Sequence, residues 1–104
     1  MKKINLAISG CMGRMGQQLI KSSIKNKNFK LVALTENRLI NKKFNGIKPE
    51  LNSNKAFEKT DVIIDFTIPS CTIEILRIAK KLKKRIVIGT TGFNKKQENL
   101  IKKY

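Results

Sequence analysis

Short apolar runs alternate with stretches of helical periodicity along this chain. Residues 3–9 and 29–35 are apolar runs, and between them residues 14–25 place apolar side chains at helical spacing among lysines and glutamines. Continuous apolar runs are typical of strands in a parallel sheet that is covered on both faces. A helix between two such strands implies a right-handed crossover. The first third of the chain therefore predicts a βαβ unit, whose helix buries these residues: Met15, Leu19, Ile20 and Ile24.

The second half of the chain repeats this order after a long polar interruption. Residues 37–56 show no sustained period and predict a loop, with a short helical turn near residues 54–59. Residues 61–66 then predict a strand buried on both faces. A helix is expected over residues 70–83 and a fourth strand over residues 85–88. The helix is expected to bury Ile75, Leu76, Ile78, Ala79 and Leu82.

Capping residues predict where the later helices begin. The hydroxyl of Ser70 can accept from the free N–H groups of a first turn, so Ser70 is expected to cap the helix that follows it. Asn94 is expected to cap a last helix that still runs at Tyr104. The whole pattern predicts an α/β fold: a Rossmann-like doubly wound parallel sheet, truncated after the fourth strand and its following helix. Residues 1–104 are thus expected to form one incomplete dinucleotide-binding domain.

Three glycines follow the first strand at a spacing of three residues. Gly10, Gly13 and Gly16 stand between the strand and the first helix, where a glycine-rich loop holds a pyrophosphate in dinucleotide-binding domains. The helix would offer N–H groups and the positive end of its dipole, and Arg14 would add charge-assisted hydrogen bonds. The spacing is G-x-x-G-x-x-G and not the commoner G-x-G-x-x-G. A tight turn with close helix packing and no ligand is the alternative.

An acidic residue ends the second predicted strand. Glu36 lies 20 residues after Gly16, where a carboxylate can accept hydrogen bonds from both hydroxyls of an adenosine ribose. An ordinary surface glutamate is the alternative. Arg38 could neutralise a 2′-phosphate, or it could be a solvated arginine, so the pattern leaves both NADH and NADPH open.

A second glycine-containing turn, Gly89-Thr90-Thr91-Gly92, follows the fourth predicted strand. Ligands of open α/β sheets bind outside the carboxyl ends of the strands, so this turn could contact a nicotinamide or its ribose. A purely structural turn is the alternative. Asp65 ends the third predicted strand in the same row and is expected to have a structural role, with a polar wall of the cofactor cleft as the alternative.

The net charge of +16 suggests a different function, a non-catalytic basic module that binds nucleotides or polyanions. The lysines are spread along the whole chain, and one tyrosine with no tryptophan leaves few aromatic side chains to stack on bases. We therefore expect a solvated lysine surface with nonspecific, salt-sensitive attraction to polyanions, and no specific nucleic-acid site.

The cysteines and the absence of histidine restrict the chemistry further. Cys11 and Cys71 lie far apart without a CxxC pattern, so they are expected to be small buried thiols in a reducing compartment, and no metal site is predicted. Without histidine, no Ser-His or Cys-His pair can be built from these residues. No apolar run approaches the roughly 18 residues of a transmembrane helix, and the basic start leads into a strand, not a signal peptide. A cytoplasmic protein without a membrane partner is expected.

The motifs, in their order, resemble those of 4-hydroxy-tetrahydrodipicolinate reductase, the dihydrodipicolinate reductase of bacterial lysine and diaminopimelate biosynthesis. The resemblance rests on G-C-M-G-R-M-G at residues 10–16, Glu36, D-F-T at 65–67 and V-I-G-T-T-G-F at 87–93, and it covers essentially the whole chain. Asn37 stands where the family often has an arginine for NADP. The resemblance implies an NAD(P)H-binding domain whose cofactor contacts fall on these residues: Gly10, Cys11, Met12, Gly13, Arg14, Met15, Glu36, Gly89, Thr90 and Thr91.

The resemblance also implies a reaction, the transfer of a hydride from the nicotinamide to a dihydrodipicolinate-type ring intermediate. In the family, the catalytic histidine and lysine and the contacts to the small-molecule substrate lie in a second, C-terminal domain, which is absent from these 104 residues. No catalytic residue is therefore expected in this chain, and the chain alone is expected to be inactive. Whether it can form the homotetramer usual for full-length family members is left open.

Overall fold

The computed structural model describes residues 3–103. Within them, parallel strands form one sheet in the order β3-β2-β1-β4-β5. The strands are β1 (Ile4–Ser9), β2 (Phe29–Glu36), β3 (Glu50–Leu51), β4 (Val62–Asp65) and β5 (Arg85–Ile88). The helices are α1 (Arg14–Lys25), α2 (Asn54–Phe57), α3 (Pro69–Leu82) and α4 (Lys95–Lys103).

The strand order reverses beside β1. The chain passes from β1 to β2 and β3 on one side, and then returns to place β4 and β5 on the other side. In a doubly wound sheet such a reversal opens a crevice at the carboxyl ends of the two central strands, here β1 and β4. The predicted Rossmann-like parallel fold is confirmed.

Two apolar clusters lie on opposite faces of the sheet. Ile20 of α1 packs on one face, and Phe57 of α2 with Ile75 of α3 packs on the other. The pairing of β1 with β2 skips Val32, because Leu6 lies opposite Leu31 whereas Ala7 lies opposite Ala33. Such a bulge changes which face the following side chains take. As a result, two leucines of β2 pack in the α1 cluster: Leu31 and Leu34.

The predicted buried face of α1 is wrong in part. Ile20 is buried as expected, but Met15 and Ile24 are 49% and 48% exposed. The other buried residues of this helix are small: Gly16 and Ser23. Small residues allow the helix to approach the sheet closely, so the contact face is not the most apolar face.

Strand β3 lies within the segment that the sequence predicts to be a loop, so the sheet formed by residues 3–103 has five strands and not four. It is two residues long, it pairs with Thr35 and Glu36, and both of its side chains are exposed. An exposed two-residue strand has no alternation of apolar and polar residues that a sequence pattern could detect. The short helical turn expected near residues 54–59 is confirmed as α2.

Helix α3 begins at Pro69, with Ile68 as its N-cap, so the prediction that Ser70 caps this helix is wrong. Proline suits the first helical position, because its missing N–H group would have no partner there. The cap of α4 is confirmed: the Asn94 side chain accepts from the Gln97 N–H group, and the Gln97 side chain accepts from the Asn94 N–H group. Tyr104, where this helix was expected to continue, lies outside the described residues.

Candidate functional site

A cleft of about 200 Å³ opens at the carboxyl ends of the central strands. One wall is the glycine loop after β1, and the opposite wall is the connection from β4 to α3. Glu36 and Asn37 form the end of the cleft nearest to β2. The cleft therefore lies where the topology predicts a ligand, and the residues that line it are Gly10, Gly13, Glu36, Asn37, Phe66, Thr67, Ile68 and Cys71.

The three glycines of the loop are required for different reasons. Gly10 has a φ of +83°, and a Cβ atom there would lie 2.2 Å from the carbonyl oxygen of Phe66. A Cβ atom on Gly16 would lie 2.1 Å from the carbonyl oxygen of Gly10. Gly13 has a φ of −72°, and its nearest neighbour to a Cβ atom would be 3.4 Å away, an ordinary contact. The fold itself therefore needs Gly10 and Gly16, but it does not need Gly13.

Several N–H groups of the loop are used to anchor it to β2. Those of Gly10 and Cys11 donate to the carbonyl oxygen of Thr35, over 3.0 and 3.4 Å. The first helical bond of α1 runs from Gln17 to Gly13. The N–H groups just before Gln17 have no carbonyl partner within an α-helix, and they lie at the positive end of the helix dipole. The geometry thus leaves the start of α1, and not the loop before it, to face an anion.

The side chains of the predicted loop residues point in different directions. Cys11 is fully buried in the α1 cluster, whereas Arg14 and Met15 are exposed. Burial first, and then the charge of Glu36, raises the pKa of the Cys11 thiol from 9.0 to about 11. The expectation that both cysteines are buried free thiols is confirmed for Cys11 and Cys71. Only Arg14 can therefore bring a charge from this loop to the cleft.

Glu36 lies at the carboxyl end of β2 with its carboxylate turned toward the glycine loop. One oxygen accepts from the N–H group of Met12 over 2.9 Å, and the other accepts from that of Asn37 over 3.1 Å. A carboxylate has about four acceptor positions, so it retains the capacity to accept from two hydroxyls. Asn37 lines the cleft, and Arg38 is an exposed residue beyond it.

The turn after β5 is built against Phe66. A Cβ atom on Gly89 would lie 2.1 Å from the Phe66 ring, so the ring occupies the space that any other residue would need. The Thr90 hydroxyl is turned inward and donates to Asp65, while Thr91 is exposed. Among the predicted residues of this turn, Thr91 has the side chain that faces solvent.

Asp65 is fully buried and has the structural role expected of it. Its carboxylate accepts from the hydroxyls of Thr67, Thr72 and Thr90, over 2.6, 2.5 and 3.1 Å. These threonines belong to the β4–α3 connection, to the first part of α3 and to the turn after β5. One buried carboxylate thereby joins three segments at the carboxyl edge of the sheet.

Sequence reasoning missed the contribution of the α3 start to the cleft. Ile68 and Cys71 line it beside Phe66. The signal that could have revealed this is Pro69, which favours a helix beginning one residue before Ser70.

Within residues 3–103, no group of three His, Cys, Asp or Glu side chains could hold a metal ion. No helix in that part of the chain is long and apolar enough to cross a membrane.

Three features define a Rossmann-type dinucleotide-binding domain. They are a parallel sheet whose strand order reverses beside β1, a glycine loop that leads into a helix, and an acidic residue at the end of β2. Residues 4–104 match the family model described as "Dihydrodipicolinate reductase, N-terminus". The chain therefore belongs to this family, whose domain binds NAD(P)H.

Two similar proteins are both named 4-hydroxy-tetrahydrodipicolinate reductase. This chain is 73% identical over all 104 residues to a 4-hydroxy-tetrahydrodipicolinate reductase of Pelagibacter ubique, and it covers 40% of that protein. It is 41% identical to the reductase of that name from Buchnera aphidicola, with 99% of this chain and 42% of the relative covered. The chain thus spans about two fifths of the length of these relatives.

Solved structures agree with the fold. A dipicolinate-bound dihydrodipicolinate reductase from Paenisporosarcina sp. TG-14 aligns with a TM-score of 0.76 and 28% identity, over 94% of this chain and 41% of that one. An aspartate semialdehyde dehydrogenase from Candida albicans, solved with NADP, aligns with a TM-score of 0.68 at 14% identity, over 86% of this chain and 30% of that one. The second likeness shows the fold alone.

Proposed function

We propose that the cleft between β1 and β4 binds NAD(P)H and that this chain is the cofactor-binding domain of a 4-hydroxy-tetrahydrodipicolinate reductase. The start of α1 with Arg14 would hold the pyrophosphate, and Glu36 would accept from the hydroxyls of the adenosine ribose. The turn at Gly89, Thr90 and Thr91 would contact the nicotinamide half.

The open surroundings of Gly13 are the observation that supports this proposal most directly. Gly13 lines the cleft, it is exposed, and a larger residue would fit its backbone conformation and its surroundings. A glycine that the fold does not need is explained if a ligand approaches the backbone there, because a side chain would then occupy the position of the ligand. The alternative, a loop that is tight only for packing, accounts for Gly10 and Gly16 but not for Gly13.

The candidate contact residues lie across the sheet in the same order as the parts of the cofactor that they would bind. Glu36 lies on the β2 side, the start of α1 lies at the centre, and the turn after β5 lies on the far side. When bound, the nicotinamide would supply a hydride to a dihydrodipicolinate-type ring, as the names of the relatives suggest. The groups that bind this small-molecule substrate and donate its proton would lie outside these 104 residues, which contain no histidine.

We also propose that this protein belongs to a biosynthetic enzyme of the cytoplasm. The proposal includes no membrane partner and no specific nucleic-acid site. The net charge of +16 is proposed to act as a general attraction for polyanions that salt removes.

Gly13→Ala tests the cofactor site. NADH fluorescence is titrated with the 104-residue chain and with the variant, and the variant is expected to bind at least about tenfold more weakly because its methyl group meets the ligand. Circular dichroism should show the same fold for both. Unchanged NADH affinity of Gly13→Ala, or no binding by the wild-type chain at about millimolar NADH, would overturn the proposal.

A pair of charge changes separates this function from the polyanion-binding alternative. Arg14→Gln and Lys21→Gln each remove one positive charge from α1, but only Arg14 lies at its start. Specific binding predicts that Arg14→Gln weakens NADH binding and that Lys21→Gln does not. Equal effects of the two changes, together with tight RNA binding that survives physiological salt, would favour the basic module.

A further inference from the structure

The buried residue Asp65 is hydrogen-bonded to the turn after β5. The Thr90 hydroxyl donates to Asp65 over 3.1 Å and accepts from the N–H group of Thr67 over 2.9 Å. The N–H group of Gly89 also donates to the main-chain carbonyl of Asp65 over 2.7 Å. Both the backbone and the hydroxyl of this turn are therefore tied to the end of β4.

The same short segment also contacts the glycine loop. The carbonyl of Phe66 fills the space beside Gly10, and the ring of Phe66 fills the space beside Gly89. Residues 65–67 thus lie between the two glycine-containing segments and touch both. Their position sets the distance from the loop that would hold the pyrophosphate to the turn that would meet the nicotinamide.

Thr72 supports this arrangement from a place that no ligand can reach. It is fully buried in α3, and its hydroxyl donates to the same Asp65 oxygen that accepts from Thr90. A buried carboxylate is costly unless its acceptor positions are satisfied. If Thr72 no longer donated, Asp65 would shift toward its remaining donors, and Thr90 would move with it.

We infer that Asp65 is a positioning residue, held by Thr72, that aligns the turn at Gly89 and Thr90 for the nicotinamide half of the cofactor. The inference rests on the proposed function. It predicts that changes at Asp65 affect the two halves of the cofactor differently. The adenosine half binds at Glu36 on the opposite side of β1, so a disturbance at Asp65 reaches only the nicotinamide half.

Two ligands distinguish these halves, NADH and ADP-ribose, which lacks the nicotinamide. Thr72→Val removes the buried hydroxyl and keeps the shape of the side chain, and Thr72→Ser restores the hydroxyl. Thr60→Val is the matched control, because Thr60 is equally buried and its hydroxyl has no hydrogen-bond partner among the described residues. Affinities for both ligands are measured by calorimetry on the 104-residue chain, and folding is checked by thermal unfolding.

Thr72→Val is expected to weaken NADH binding by about tenfold while its affinity for ADP-ribose stays within about twofold. Thr72→Ser and Thr60→Val should bind both ligands like the wild-type chain. Asp65→Asn, which replaces one acceptor oxygen of the carboxylate by an NH2 donor and keeps the shape, should reproduce the loss for NADH alone, and it replaces Thr72→Val if that variant does not fold.

Parallel loss of both ligands in Thr72→Val and Asp65→Asn, or no loss of either, would overturn the inference and leave the proposed function standing. So would a wild-type chain that binds NADH no better than ADP-ribose. A wild-type chain that binds neither ligand would overturn the proposed function and this inference with it.

Discussion

The two glycine-containing segments of the cleft are held in place in different ways. In the loop at residues 10–16, backbone meets backbone: Gly16 lies against the carbonyl of Gly10, and Gly10 lies against that of Phe66. In the turn at residues 89–91, one backbone hydrogen bond from Gly89 to Asp65 is joined by side-chain contacts, with the Phe66 ring against Gly89 and the Thr90 hydroxyl on Asp65. A backbone contact cannot yield without moving a strand or a helix, whereas a side-chain contact can adjust. We therefore expect the loop to tolerate far less change than the turn.

The largest effect is expected from Gly16→Ala. The new Cβ atom would lie 2.1 Å from the Gly10 carbonyl oxygen, so α1 must move away from the loop. We expect a loss of about 3 kcal/mol in the free energy of unfolding, measured by urea denaturation. The matched change Gly13→Ala, three residues earlier, should cost at most about 1 kcal/mol, because it adds an ordinary contact and alters only the N-cap. Equal losses would show that the two glycines have the same role.

Gly89→Ala is expected to destabilise the chain less, by about 1–2 kcal/mol, because the obstacle is the ring of Phe66 and not a backbone atom. Combining it with Phe66→Leu should recover part of the loss, since the smaller side chain leaves room for the methyl group. A double-mutant cycle in urea measures this coupling, which we expect to exceed about 0.5 kcal/mol. Strict additivity would mean that the ring does not limit the turn.

The thiol of Cys11 predicts a pH dependence for the loop, whereas the turn at residues 89–91 has no titratable side chain. Its pKa is raised by burial, and next by the charge of Glu36, to about 11, so the folded state favours the neutral thiol. This contribution is complete below the unfolded value near pH 9.0 and is lost as the pH rises toward 11, at about 1.4 kcal/mol per pH unit. Urea unfolding at about pH 8 and about pH 10 should show a smaller decrease for Cys11→Ala than for the wild-type chain. Parallel decreases would contradict the burial of the thiol.

The smallest effect is expected within the turn, at Thr91. Its side chain is exposed, so Thr91→Val should change the free energy of unfolding by less than about 0.5 kcal/mol. Thr90→Val is the contrasting change, because it leaves the Thr67 N–H group without a partner and removes one of the three hydroxyls that donate to the Asp65 carboxylate, and it should cost about 1–3 kcal/mol. Similar costs at the two positions would show that Asp65 does not hold the turn.

Local patterns predicted the elements that have a continuous apolar run, a helical period or a capping residue. The strand at residues 85–88, the helix that begins at Arg14 and the cap at Asn94 all agree with the structure. They follow from interactions between neighbours in the chain, such as a capping side chain or a continuous apolar run. Strand β3 was missed because its two residues form a strand only by pairing with Thr35 and Glu36.

The site could be predicted as a set of residues but not as an arrangement. The order of glycines, acid and threonines in the sequence determined the family and the side of the sheet where a ligand would bind, because parallel strands bring their carboxyl ends together. Only the tertiary structure decided that Gly13 is dispensable to the fold and that Asp65 joins Thr72 to Thr90. These properties depend on contacts between residues far apart in the chain, and such contacts exist only once the sheet has formed.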